Sequence, residues 1–191
     1  GNTIAHNGGD GVLIYAGTGN AALGNNIFSN NALVINLYPV LGVNPNDAGD
    51  TDTGSNNLQN YPMLTAASSN GASTTVEGTL SSTPNTAFRL EFFASGACDP
   101  SGHGEGQRFL GSLQATTDGA GNATFAGAVS DPASGTEVIA ATATDAANNT
   151  SEFSACIPVT EVVVTPTPTA TSTSTPTPTS TSTPTPTSTS T

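Results

Sequence analysis

A short motif recurs near the beginning of the chain. Gly1-Asn2-Thr3-Ile4-Ala5-His6-Asn7 aligns with Gly24-Asn25-Asn26-Ile27-Phe28-Ser29-Asn30 at an offset of 23 residues, and Val12 and Ile14 fall on Ile35 and Leu37 at the same offset. A fixed period of this length is the mark of a solenoid, in which each turn of chain lays its apolar residues on those of the next. Residues 1–44 are therefore expected to form two coils, each with two short apolar strands separated by Asn and Gly corners. Asn2 over Asn25 and Asn7 over Asn30 are the expected amide ladders, at corners that need left-handed backbone. Coils of this kind bury each other's faces, so two of them imply further coils in the remainder of a larger polypeptide on the N-terminal side.

The N-x-I-x-x-N pattern of Asn2 to Asn7 and the G-V-x-I of Gly11 to Ile14 resemble the right-handed parallel β-helix proteins of the pectate-lyase-like superfamily. That resemblance covers residues 1–44; over residues 1–158 the order of coils, an Asp/Asn-rich loop, the N-L-Q-N-Y-P-M-L of Asn57 to Leu64 and a sandwich resembles large bacterial surface or secreted β-helix proteins, which implies an exported protein. In the lyases of that superfamily, it further implies, a basic residue abstracts a sugar proton beside bound calcium. This chain has no Lys, and its two Arg, Arg89 and Arg108, lie far from the repeats. A glycosidase instead needs two carboxylates placed close together. The repeats offer only Asp10, with His6 nearby, so no catalytic residue is assigned and any active site belongs upstream.

Residues 45–62 read as an Asp/Asn-rich linker. Asp47, Asp50 and Asp52 crowd together there beside Gly49. Oxygen donors on a Gly-containing loop suit a hard cation such as Ca²⁺, yet the EF-hand spacing and its terminal Glu are absent. Two readings stay open: a structural calcium site, or a solvated linker with no cofactor at all.

From 63 to 158 short alternating segments are separated by turn residues, which predicts a β-sandwich. Strands are expected near 63–67, 74–80, 88–92, 109–116, 123–129, 137–144 and 151–157. In Phe88-Arg89-Leu90-Glu91-Phe92 the apolar side chains fall on one face and the ions on the other, where Arg89 and Glu91 are placed to pair. Ala141 to Ser151, with Asp145 and Asn148-Asn149-Thr150-Ser151, resembles the last hairpin of bacterial immunoglobulin-like domains, with Asn148 where Gly is usual. Cys98 and Cys156 are the only cysteines, and in an exported sandwich they are expected to form one disulfide. Asp99, His103 and Glu105, in a Gly-rich stretch, read as a solvated loop tip.

From Thr165 to Thr191 every residue but Ala170 is Thr, Ser or Pro, with the recurring unit TSTSTPTP, and 159–191 is expected to be a disordered stalk. The fold expected is thus all-β: the last coils of a parallel β-helix, an immunoglobulin-like sandwich, then the tail. Fourteen acidic residues against two basic ones give a net charge of -12, which excludes nucleic acid as a partner. No apolar run is long enough for membrane insertion. The functional expectation is a non-catalytic, extracellular or cell-surface segment, structural or adhesive, whose partners are extracellular protein or polysaccharide. The alternative is the accessory end of a polysaccharide-active enzyme whose active site lies upstream.

Overall fold

A computed structural model describes residues 1–162. The stalk expected at 159–191 lies, from residue 163 onward, outside the described residues. What is described is all-β.

The repeat sets the strand pairing. β1 (Thr3–Ala5) runs parallel to β3 (Asn26–Phe28) with Ile4 opposite Ile27, and β2 (Val12–Ile14) runs parallel to β4 (Ile35–Leu37) with Val12 opposite Ile35. Each pair keeps the 23-residue offset of the sequence motif. The left-handed corners fall on His6 (φ 60°) and Ser29 (φ 51°), equivalent positions one repeat apart. The neighbouring Asn7 and Asn30, expected to adopt that geometry, instead bond across the repeats. Asparagine's value here lies in its side-chain amide rather than in its tolerance of positive φ.

Between 44 and 63 the chain makes a 3₁₀ turn at Ser55–Leu58, and three successive residues, Asn56, Asn57 and Leu58, are left-handed at φ 47°, 56° and 54°. A non-glycine residue costs about 1–2 kcal/mol in that region, so the turn requires support from outside itself. Asn56 supplies it. Its backbone N–H donates to the Gly17 carbonyl, its Oδ1 accepts from both the backbone and side-chain nitrogens of Asn20, and its Nδ2 donates to the carbonyls of Asn20 and Thr150. The expected solvated linker is therefore pinned to structure on either side.

Two four-stranded sheets follow. β5 (Met63–Ser69), β6 (Thr74–Ser81) and β9 (Asn122–Val129) form one, with β12 (Thr160–Glu161) added in parallel on the β5 edge. The other has the order β11-β10-β7-β8, from β7 (Ala87–Ser95), β8 (Arg108–Thr116), β10 (Val138–Asp145) and β11 (Ile157–Pro158). Their facing sides share a core that includes Val76, Leu80, Phe125, Phe88, Leu90, Phe92 and Ile139. Two expectations are corrected. Strand structure continues past Pro158, because Val159 is buried and Thr160–Glu161 pairs with Ser68–Ser69. The strand expected over 151–157 is reduced to β11, since Ser151 and Ser154 place side-chain hydroxyls as acceptors for the N–H groups of Ala143 and Ala141.

A second core joins the two parts. Ile14, Ile27, Ile35 and Leu37 from the repeats pack on Phe93, Ala140 and Phe153. The sheet containing β7 is thus covered on both faces. Glu91, on the face opposite Phe88, Leu90 and Phe92, is 0% exposed.

Candidate functional site

The outer edges of β3 and β4, on the side away from β1 and β2, present backbone N–H groups that need partners when covered. The two-sheet body supplies them residue by residue. Gly106 exchanges two backbone hydrogen bonds with Ile27, and Ser29 N–H donates to Glu105 Oε1 at 2.8 Å. Gly24 N–H donates to Glu91 Oε2 at 2.7 Å, while Arg89 Nε donates to the other oxygen at 2.8 Å. Glu152 accepts from Leu37 N–H, Asn44 N–H and the Asn44 side-chain amide. Asn149 and Thr150 accept from the N–H groups of Gly19 and Ala22. Burial pushes the Glu152 carboxyl above its ordinary range, the bonds from Leu37 and Asn44 oppose this, and the charge of Asp10 adds to the rise.

The two sets of asparagines meet as direct bonds. Asn25 Oδ1 accepts from the backbone N–H (2.9 Å) and side-chain Nδ2 (3.2 Å) of Asn2, and Asn30 Oδ1 does the same for Asn7 at 3.1 and 2.8 Å. Asn56 repeats this double acceptance toward Asn20, a third clamp that the 23-residue period does not reveal because the two are 36 positions apart. Tyr15 and Tyr38, also one repeat apart, stack with ring centroids 4.4 Å apart.

Asp47, Asp50 and Asp52 come together, with one carboxylate oxygen of each within 4.8 Å of the others. Asp50 is committed on both oxygens, to Asn60 N–H and to the Ser82 hydroxyl. Burial, together with the charges of Asp47 and Asp52, pushes its carboxyl up to about 6 against those bonds. Asp52 is raised by burial and by Asp47. Asp47 is buried enough to be pushed upward, but the Thr51 hydroxyl and backbone bonds hold it below its ordinary value. One oxygen of Asp47 and one of Asp52 are inaccessible to solvent and have no hydrogen-bond donor. Such a set suits a hard cation, which would add the missing positive charge and take its further oxygens from carbonyls or water.

Cys98 and Cys156 are joined in a disulfide. It fastens the Gly-rich segment that carries Glu105 and Gly106, which is held rather than solvated: Asp99, Gly104 and Gly106 are buried. Its three chemistry-bearing residues do not converge. His103 Nδ1 faces the Phe153 carbonyl at 3.0 Å, Glu105 bonds Ser29, and Asp99 accepts from Ser101 N–H. Asp10 accepts from Leu33 N–H and from the Asn36 side chain, both structural roles. No protein-family model matches the chain, and no curated protein matches it.

Proposed function

We propose that this chain is the C-terminal portion of an extracellular or cell-surface parallel β-helix protein, in which an immunoglobulin-like sandwich caps the last coil. In this reading it is a structural and adhesive segment, not a catalyst, and further coils of the same polypeptide stack on β1 and β2. The observation that carries it is the row of acceptors, Glu105, Glu91 and Glu152, placed against the backbone N–H groups of the second repeat. A strand edge left bare templates association with other chains, and a cap removes that hazard. Support for the missing coils comes from β1 and β2, which have no strand partner on their other edges among the described residues. Tyr15, stacked on Tyr38 yet 65% exposed, is placed for another ring of the same ladder. The disulfide fits an oxidising compartment. The Asp47, Asp50 and Asp52 set serves as a calcium clamp at the foot of the cap.

The test uses the full chain. Glu105→Ala combined with Glu152→Ala should leave amide protection in β5 to β10 intact while β1 to β4 lose theirs in hydrogen exchange, with self-association visible by size exclusion. Equal loss of protection everywhere would mean that the acids stabilise the whole fold and do not cap one edge. Incubation with pectin, alginate and xylan, with and without calcium, should release no reducing ends or unsaturated products. Turnover would refute the non-catalytic reading.

A further inference from the structure

The dipeptide Asn-Gly occurs twice in the chain, as Asn7-Gly8 and Asn70-Gly71. It is a pairing open to attack by the main chain on a side chain, because glycine puts no Cβ beside its own nitrogen and that nitrogen stands next to the asparagine carboxamide. The two sites share this chemistry, and they differ in what the fold does with the amide.

Asn70 and Gly71 are exposed in the turn that joins β5 to β6. Gly71 has φ 79°, and a Cβ placed on it would meet nothing within 4 Å, so no neighbour crowds the peptide there. Asn70 Oδ1 accepts from the N–H groups of Ala72 and Ser73, each at 2.9 Å. Its Nδ2 donates to no group among the described residues, and the Gly71 N–H makes one long bond, to the Ser69 hydroxyl at 3.3 Å. The carboxamide is thus polarised at its oxygen and unrestrained at its nitrogen. Asn7 is held the opposite way. Its Nδ2 donates to Asn30 Oδ1 at 2.8 Å, and no N–H among the described residues meets its oxygen. Asp118, also followed by glycine, repeats the Asn70 arrangement, since its Oδ1 accepts from the N–H groups of Ala120 and Asn122 at 2.9 Å. There the same donors hold a carboxylate in its charged form, which resists a nucleophile and has no amine to lose.

We infer that Asn70 is a site of self-catalysed deamidation, converted within its own turn to aspartate and isoaspartate while Asn7 is preserved by its clamp. The Gly71 nitrogen forms a bond to Asn70 Cγ and gives its proton to water. The negative charge that gathers on Oδ1 falls where the Ala72 and Ser73 N–H groups already point, so these donors act most strongly as the bond is made. The bond from Cγ to Nδ2 then breaks, and the nitrogen takes a proton from water and leaves as ammonia. A second water opens the resulting cyclic imide. Rupture between the Gly71 nitrogen and Cγ gives aspartate, and rupture at the main-chain carbonyl gives isoaspartate, whose backbone is longer by one methylene. No electrons are transferred, and either product adds one negative charge to the turn.

The experiment incubates the full chain at neutral pH beside two synthetic peptides, spanning residues 65–75 and 2–12, which carry the same dipeptides without the fold. Each conversion exchanges an amide NH₂ for OH and raises the mass by one unit, so digestion and mass spectrometry locate it, and reversed-phase chromatography separates the two products. Dividing each rate in the folded chain by that of its own peptide removes the effect of neighbouring residues. Asn70 should convert in the folded chain at least as fast as in its peptide, and Asn7 should convert more slowly than in its peptide. The two ratios should differ by about tenfold, the effect expected when donors are aimed at the oxygen in one site and absent from it in the other. Slower conversion of Asn70 in the folded chain than in its peptide, or equal ratios at the two sites, would overturn the proposal.

Discussion

Asp50 is a carboxyl held against the preference of its own charge. Burial and the charges of Asp47 and Asp52 push it up to about 6 from an ordinary 3.8. A raised carboxyl contributes stability that is complete below the unfolded value and is lost as pH rises through the folded one. Without calcium, Tm should therefore climb as pH falls from 7 toward 5, and the raised Glu152 works in the same direction. Calcium needs Asp50 ionised, so its stabilisation runs the other way: it should raise Tm at pH 7 by mass action, fade as pH drops through about 6, and vanish with EDTA. Thermal melts at several pH values, with and without calcium, check both limbs, and Asp50→Asn should remove most of the first and much of the second. The amide clamps make a second prediction. Asn30→Ala deletes the oxygen that accepts twice from Asn7, at a cost of about 1–2 kcal/mol, or roughly 3–6 °C in Tm for a domain of this size. Asn30→Asp retains that oxygen but sets a second acceptor against the Ile4 carbonyl where Nδ2 donated, so it should recover only part of the loss.

Strand β7 shows how an element can satisfy two neighbours at once. Phe88, Leu90 and Phe92 enter the core between the sheets, while Glu91 and Phe93 face the repeats. The alternation of apolar and polar residues was legible, and it located the strand, but alternation cannot tell a solvated face from one covered by distant chain. Glu91 shows why: its partner Gly24 lies 67 positions away, a separation that no local pattern encodes. The same limit applies to Glu152, which looks like any polar strand residue until Leu37 and Asn44 are brought to it. One signal was available. With only two Arg and no Lys for fourteen acids, most carboxylates had to be met by neutral donors, and backbone amides are among the partners of Glu91, Glu105 and Glu152. Glu152→Ala should cost about 2–4 kcal/mol, because it strips the acceptor from three buried donors, and chemical denaturation with circular dichroism measures it. Arg89→Ala should cost about 1–3 kcal/mol, since the guanidinium is partly solvated but its loss leaves one oxygen of the buried Glu91 without its donor.

At the scale of the whole molecule, the pairing of repeats was readable because a period is a long-range statement written locally, and the two cysteines were readable because they have no other choice of partner. The docking of repeats on the two-sheet body was not, since it depends on residues such as Phe93, Phe153 and Asn56 whose roles become distinct only in contact. The disulfide closes a separation of 58 residues, and in the chain-entropy account its loss costs about 4 kcal/mol. Reduction should lower Tm, and hydrogen exchange should show Ile27 and Ser29 losing protection first, because the released segment carries Gly106 and Glu105. The hydrogen bonds from Gly24, Ser29, Leu37 and Asn44 also have a mechanical meaning. Among the described residues the backbone passes between the two parts only once, through residues 45–62, yet these four N–H groups reach three different glutamates of the two-sheet body. A pull applied at the two ends of the chain is thereby divided among several attachments loaded side by side, so the joint should break in a single high-force event instead of peeling open one contact at a time.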